Sequence, residues 1–243
     1  MKRAIVYHAH CREHYSDAAI VSARSAKKCM PDVDTVLITS LPVRSRRFDR
    51  IVRIDDPGIV NAQFPPLLHL PEEYDSAIYL DCITLVVAPM YDVFELVEDS
   101  YTDIALTHTS GKQHDSRYPS LGLPKLFPHW RSAFIAVQHH DRMRRFLADW
   151  WDLFEVHREE HAALRTGHGP CHPDQKTLRI ALYHSDLTVV TLRSRFCCPA
   201  GGVVIRGTVR VISGNGDMAE RALVVNKYAP ERRLFHNGKI ILV

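Results

Sequence analysis

Short apolar runs alternate with amphipathic helical stretches along most of the chain. Residues 4–9 (AIVYHA) read as a first strand. A helical pattern follows, in which Tyr15, Ala18, Ala19, Val21, Ser22, Ser25 and Ala26 form a small-residue face suited to close packing on a sheet. Lys27 and Lys28 favour the C-terminus of that helix and Pro31 stops it. Strands at 35–38 and 51–54 come next. Strand, helix, strand with short loops predicts right-handed crossovers and a parallel sheet.

Residues 74–94 (YDSAIYLDCITLVVAPMYDVF) are the stretch around which the rest is organised. The runs 77–80 and 83–87 have the composition of strands buried on both faces, and 91–97 of a short helix. Between the two runs stands one carboxylate, Asp81, followed by Cys82. A carboxylate closing a buried strand is costly unless something binds it. Open α/β sheets bind ligands at the carboxyl ends of their strands, so Asp81 marks the candidate active-site floor. Taken by itself, a strand-end aspartate that caps a turn or a following helix is the simpler reading.

A strand at 103–107 precedes the long polar segment 109–129, which is read as either functional or disordered. Residues 133–137 return to strand character. The 142–155 helix carries Met143, Phe146, Leu147, Trp150, Trp151 and Phe154 on its apolar side, a core face rather than a ligand platform. The histidine-rich 157–172 leads into a further helix. There Pro173 suits the start, Asp174 the first turn, and Leu178, Ala181 and Leu182 the buried face. Strands at 188–192, 203–205 and 208–212 follow. The turn Gly214-Asn215-Gly216 then enters a helix at 218–226, and Asn237-Gly238 between apolar runs signals a terminal hairpin. No linker, repeat or low-complexity tract divides the chain, so one domain over 1–243 is the expectation.

The chain has 243 residues, a formal charge of +3, 15 histidines and six cysteines. The charge gives no argument for nucleic acid and fits an anionic small molecule. The cysteines form no CxxC pair and no signal peptide precedes them, which reads as reduced thiols in a cytoplasm. No apolar run approaches the roughly 20 residues that span a bilayer. The segment 168–172 (HGPCH) invites a zinc reading, but it lacks a second ligand pair at the usual spacing.

In order along the chain, four pieces resemble the GT-A-fold glycosyltransferases of the glycogenin and galactosyltransferase-like group related to family 8. YDSAIYLDCITLVVAPMYDVFEL resembles the group's buried strand, Asp-x-Asp, Thr-Leu-Val and short helix. IVYHAHCREHYSDAAIVSARSAKKCMP is similar to its first strand and helix, PDQKTLRIAL to its Asp-Gln helix start, and GTVRVISGNG to a strand that ends in histidine before glycine. The resemblance implies an α/β fold, GT-A and Rossmann-like. Its central sheet would be mostly parallel and flanked by helices, with a small C-terminal β-hairpin extension.

It also implies roles for particular residues. Tyr7, His8 and Tyr15 would line the base and ribose pocket, and Asp81 would contact ribose or a metal-bound diphosphate. Ser213 and Gly214 would cradle phosphate through backbone N–H groups. Asp174 and Gln175, at a helix start where ligands commonly bind, would lie by the sugar and acceptor. The group's manganese ion is held by both Asp-x-Asp carboxylates and the later histidine, ligands that suit it and let it act as a Lewis acid. Here the second carboxylate position is Ile83 and the histidine position is Ser213, so two of three ligands for a Mn or Mg cofactor are missing. The group's Asn-Ser-Gly stands as Arg131-Ser132-Ala133. Cations would then take the ion's part, with Lys112, Arg117, His168, His172, Lys176 and Arg206 as candidates.

The first expectation is a cytoplasmic glycosyltransferase, one that need not use a metal, that takes a nucleotide diphosphate sugar as donor, with 109–129 closing over it. The resemblance implies retention of anomeric configuration. The alternative is a non-catalytic nucleotide-sugar-binding or scaffolding protein on the same fold, favoured by the lost metal ligands. A nucleotidyltransferase is a third reading, and the absence of a glycine-rich, lysine-bearing loop after the first strand counts against it.

Overall fold

The computed structural model describes residues 1–10, 12–55, 66–99, 101–108, 123–124, 126–157, 173–199, 203–214, 218–236 and 239–242. Its centre is a seven-stranded sheet. The strands, in chain order, are β1 (Arg3–Ala9), β2 (Asp34–Thr39), β3 (Arg50–Arg53), β4 (Ser76–Leu80), β6 (Ile104–His108), β7 (Trp130–Gln138) and β8 (Val189–Leu192), arranged β3-β2-β1-β4-β7-β6-β8. β1, β2, β3 and β4 pair in parallel, as do β6 and β8, and β7 runs antiparallel between β4 and β6. The expected mostly parallel sheet is therefore present. Because β7 is reversed, its amino end meets the carboxyl end of β4, with Phe134 opposite Leu80.

The residues of β4 and all but the first of β1 are buried, as continuous apolar runs require of central strands. Helices cover both faces. On one side lie α1 (Glu13–Cys29), which presents Ala19, Ala23 and Ala26, and α2 (Tyr91–Glu98), with Val93, Phe94 and Val97. On the other lie α3 (Asp141–Val156), through Met143, Phe146, Leu147 and Trp150, and α4 (Pro173–His184), through Leu178 and Leu182. The small side chains of α1 let it lie close to β1, as its alanine and serine spacing predicts.

The chain after α4 builds an extension. β5 (Thr84–Val86), β9 (Cys198–Pro199) and β11 (Val211–Ser213) form a three-stranded sheet ordered β5-β11-β9. A second, β10-β12-β13, contains β10 (Val203–Ile205) and the terminal hairpin strands β12 (Arg233–His236) and β13 (Lys239–Leu242). α5 (Met218–Val225) packs with them through the buried Val225. The hairpin appears where Asn237-Gly238 signalled it; those two residues lie outside the described set.

Two expectations are corrected. The run 83–87 is not a strand buried on both faces. Thr84 and Val86 are buried, while Ile83, Leu85 and Val87 are half-buried, because the run leaves the central sheet to pair with β11. The 208–212 strand is shorter and later, Val211–Ser213, with Val209 held instead by paired bonds to the Asn226 side chain (2.8 and 3.0 Å). The proposed lid 109–129 lies largely outside the described residues, as does 158–172.

Candidate active site

The carboxyl edge of the sheet gathers most of the singled-out residues. The Asp81 N–H donates to the Ala133 carbonyl (3.1 Å), which holds the chain against β7 one residue beyond β4. The Asp81 carbonyl accepts from Thr84 Oγ1 (2.7 Å), closing the turn. Thr84 Oγ1 also meets Ser22 Oγ (2.9 Å), which is bonded to the Tyr7 hydroxyl (3.2 Å), while the Cys82 thiol donates to the His8 carbonyl (3.0 Å). The Asp81 turn is thus tied to α1 and to the end of β1.

β11 enters from the extension. Its register sets Ser213 opposite Thr84, and the Gly214 N–H donates to the Ile83 carbonyl (3.2 Å). Gly214 has φ +130°, a conformation open to glycine and strained for other residues. Burial is the main cause that raises the Cys197 thiol pKa; Arg131 and the Ser213 hydroxyl pull it down and Asp81 raises it. The charges of Asp81 and Arg131 are thus both felt at one thiol. Cys198 is pushed up to about 12 by burial and by Cys197, against Arg131 and Arg233. Both thiols stay protonated at neutral pH and are no nucleophiles.

Asp174 occupies the first turn of α4 and is 3 % exposed. The turn is anchored by Thr177, whose hydroxyl donates to the Asp174 carbonyl (3.3 Å) and accepts from Trp150 Nε1 (3.0 Å). Gln175 follows, half-buried. The charges of Asp174 and Asp81 are both felt at Tyr79. That phenol is fully buried and its hydroxyl has no hydrogen-bond partner among the described residues. Burial first, then Asp81, Cys82 and Asp174, raise its pKa well above the ordinary value. Two carboxylates from different elements thus act on one phenol.

The remaining residues are more scattered. His8 is buried, and desolvation, then the charges of His10 and His69, lower its pKa well below 6.5, so it is a neutral imidazole. Its ring meets His10 edge-on at 4.7 Å. Tyr15 is half-buried beside His14, ring centroids 4.3 Å apart. Tyr7 is fully inside the α1 core, and burial raises its pKa. Of the candidate cations, Lys176 follows Gln175 on α4, and Arg206 lines a cleft at the ends of β6 and β8. Lys112, Arg117, His168 and His172 lie outside the described residues.

Sequence reasoning gave no role to two groups. Arg131 is half-buried, with Nη1 buried and unpartnered among the described residues. Its signal was a cation at the start of an otherwise apolar strand (WRSAFIAVQ). Tyr79 carried none, since it reads as one more apolar residue of its run. A divalent ion does not fit the constellation at Asp81. The register supplies one carboxylate, an alcohol at Ser213 and a hydrocarbon at Ile83, where a hard cation needs several oxygen or imidazole donors. Among the described residues no group of three or more His, Cys, Asp or Glu could hold a metal ion.

No family model and no curated relative matches the chain. Solved structures do. The chain is similar to an active-site mutant of LgtC over 88% of its own length and 87% of that chain, at 15% identity and a TM-score of 0.56. It is also similar to the galactosyltransferase LgtC in complex with donor and acceptor sugar analogues. There 81% of this chain and 75% of that one are covered, at 14% identity and a TM-score of 0.53. The fold is therefore GT-A, as the order of sequence motifs implied. Among the described residues no helix is long and apolar enough to cross a membrane.

Proposed function

We propose that the chain is a glycosyltransferase, one GT-A domain over 1–243, that moves a sugar from a nucleotide diphosphate sugar to an acceptor hydroxyl. The observation that carries this reading is the Asp81 turn at the carboxyl edge of the sheet, held to β7 through the Ala133 carbonyl (3.1 Å) and met there by Ser213 and Gly214 of the extension. Its fold is shared with a galactosyltransferase solved with donor and acceptor sugar analogues.

In this reading the neutral imidazole of His8 and the ring of Tyr15 hold the base and ribose, with Tyr7 supporting them from the core. Asp81 accepts from ribose hydroxyls. The diphosphate lies toward Ser213 and Gly214, where Arg131 supplies the positive charge. As the bond from the anomeric carbon to the diphosphate breaks, negative charge grows on the leaving oxygen, and a fixed guanidinium stabilises it without reorganisation. Asp174 and Gln175 position the transferred sugar, with the Gln175 amide beside the anomeric carbon. A reducing, cytoplasmic setting agrees with Cys29, Cys82, Cys197 and Cys198 being unpaired.

The test is release of nucleoside diphosphate from a panel of UDP-, GDP- and dTDP-sugars incubated with the intact protein. Slow release that falls about 100-fold or more in Asp174→Asn would support transferase chemistry. Tight binding with no release from any donor would favour the non-catalytic reading instead.

A further inference from the structure

A second concave site lies further along the same sheet edge. A cleft of 620 Å³ opens between the ends of β6 and β8 and the C-terminal sheet, lined by His108, Arg193, Ser194, Arg195, Arg206 and Arg232 over an apolar floor. Among the described residues no carboxylate lines it. None of the four arginines has an ion-pair partner among the described residues. Like charges gathered without counter-charge repel one another, so this arrangement lowers stability unless an anion occupies it.

Arg195 is held in place rather than left to solvent. Its guanidinium lies over the Phe196 ring at 5.0 Å, its Nε is buried with no hydrogen-bond partner among the described residues, and its backbone carbonyl accepts from the Arg210 N–H (2.8 Å). Gly207 makes room for it: a Cβ at residue 207, where φ is +85°, would stand 2.8 Å from Arg195 Nη1. That glycine is fixed in turn by its N–H to the Pro230 carbonyl (3.2 Å) and by Arg233 donating to its carbonyl (3.0 Å). The guanidinium fork is the side chain best matched to phosphate oxygens.

The cleft is also well placed. His108 ends β6 opposite Trp130, the residue before Arg131, and the strand order β4-β7-β6-β8 puts the cleft along the same carboxyl edge as Asp81. We propose that this cleft recognises a phosphate group on the sugar acceptor, so that the acceptor is a phosphorylated saccharide. The assignment rests on the glycosyl-transfer reading, and its test is made independent of it.

Calorimetric titration of the intact protein with glucose 6-phosphate, glucose, glucuronate and inorganic phosphate reads the cleft directly. Glucose 6-phosphate is expected to bind, with affinity falling about tenfold in each of Arg193→Gln, Arg195→Gln and Arg232→Gln and unchanged in Asp81→Ala. Arg193 and Arg232 are exposed, so their variants keep the fold even if Arg195→Gln does not. Glucose 6-phosphate binding that is lost in Asp81→Ala and kept in the arginine variants would overturn the proposal. So would no binding, equal binding of glucuronate, or inorganic phosphate binding as tightly as the sugar phosphate. A nucleoside diphosphate titration on the same samples reports separately on the donor site.

Discussion

Asp81, Tyr79 and Arg131 show how far single residues can be read. Asp81 was legible because a carboxylate that ends an apolar run must be bound by something. Tyr79 was not, because its hydroxyl gains interest only from the charges of Asp81, just past β4, and Asp174 on α4. A buried hydroxyl with no partner among the described residues adds no hydrogen bond to stability. Tyr79→Phe is therefore expected to leave the unfolding free energy unchanged or raise it by about 1 kcal/mol in urea titration, while lowering transfer activity. Arg131 differs, since the proposed function gives its charge the part of an ion. Arg131→Gln is expected to cut turnover about 100-fold with little change in Tm, and Arg131→Lys to restore part of it. A fall in Tm with unchanged turnover would assign Arg131 a purely structural role.

At the scale of elements, the periodic helices and the apolar strands appeared where the pattern put them. The misreadings share a cause: pairing partners are set by residues far away in sequence. The run 83–87 has the composition of a central strand, yet its partner is β11, so only one of its faces is covered. The extension depends on one buried charge, Arg233, which no local pattern marks. It is fully buried and donates to the carbonyls of Val225 (3.1 Å), Glu231 (2.9 Å) and Gly207 (3.0 Å). Replacing it leaves those carbonyls unsatisfied, so Arg233→Met is expected to cost about 3 kcal/mol. Hydrogen exchange should show the loss concentrated in β10, β12 and α5. Uniform loss across the central sheet would contradict the placement.

Across the whole molecule, the order of motifs along the chain foretold the fold class. It did not foretell the antiparallel β7 between β4 and β6, because sheet order is decided by long-range pairing. The buried His8 and His139, with the more exposed His69, contribute to the acid limit. Desolvation, the main cause in each, lowers the pKa of His8, His69 and His139 in the folded protein. The unfolded chain then binds more protons below about pH 6.5, so stability is full above that pH and is lost as pH falls toward the folded values. Tm should be flat from about pH 7 to 8 and decline below about pH 6.5, with a shallower decline in His8→Asn. A Tm that rises on acidification would contradict this.

The most direct test of the account is calorimetric titration of the intact protein with UDP, GDP and dTDP, each with manganese and again with EDTA. The account predicts that one of the three binds at a single site with EDTA present and that Asp81→Ala abolishes the binding. Binding that requires manganese, or no binding of any nucleotide, would contradict it.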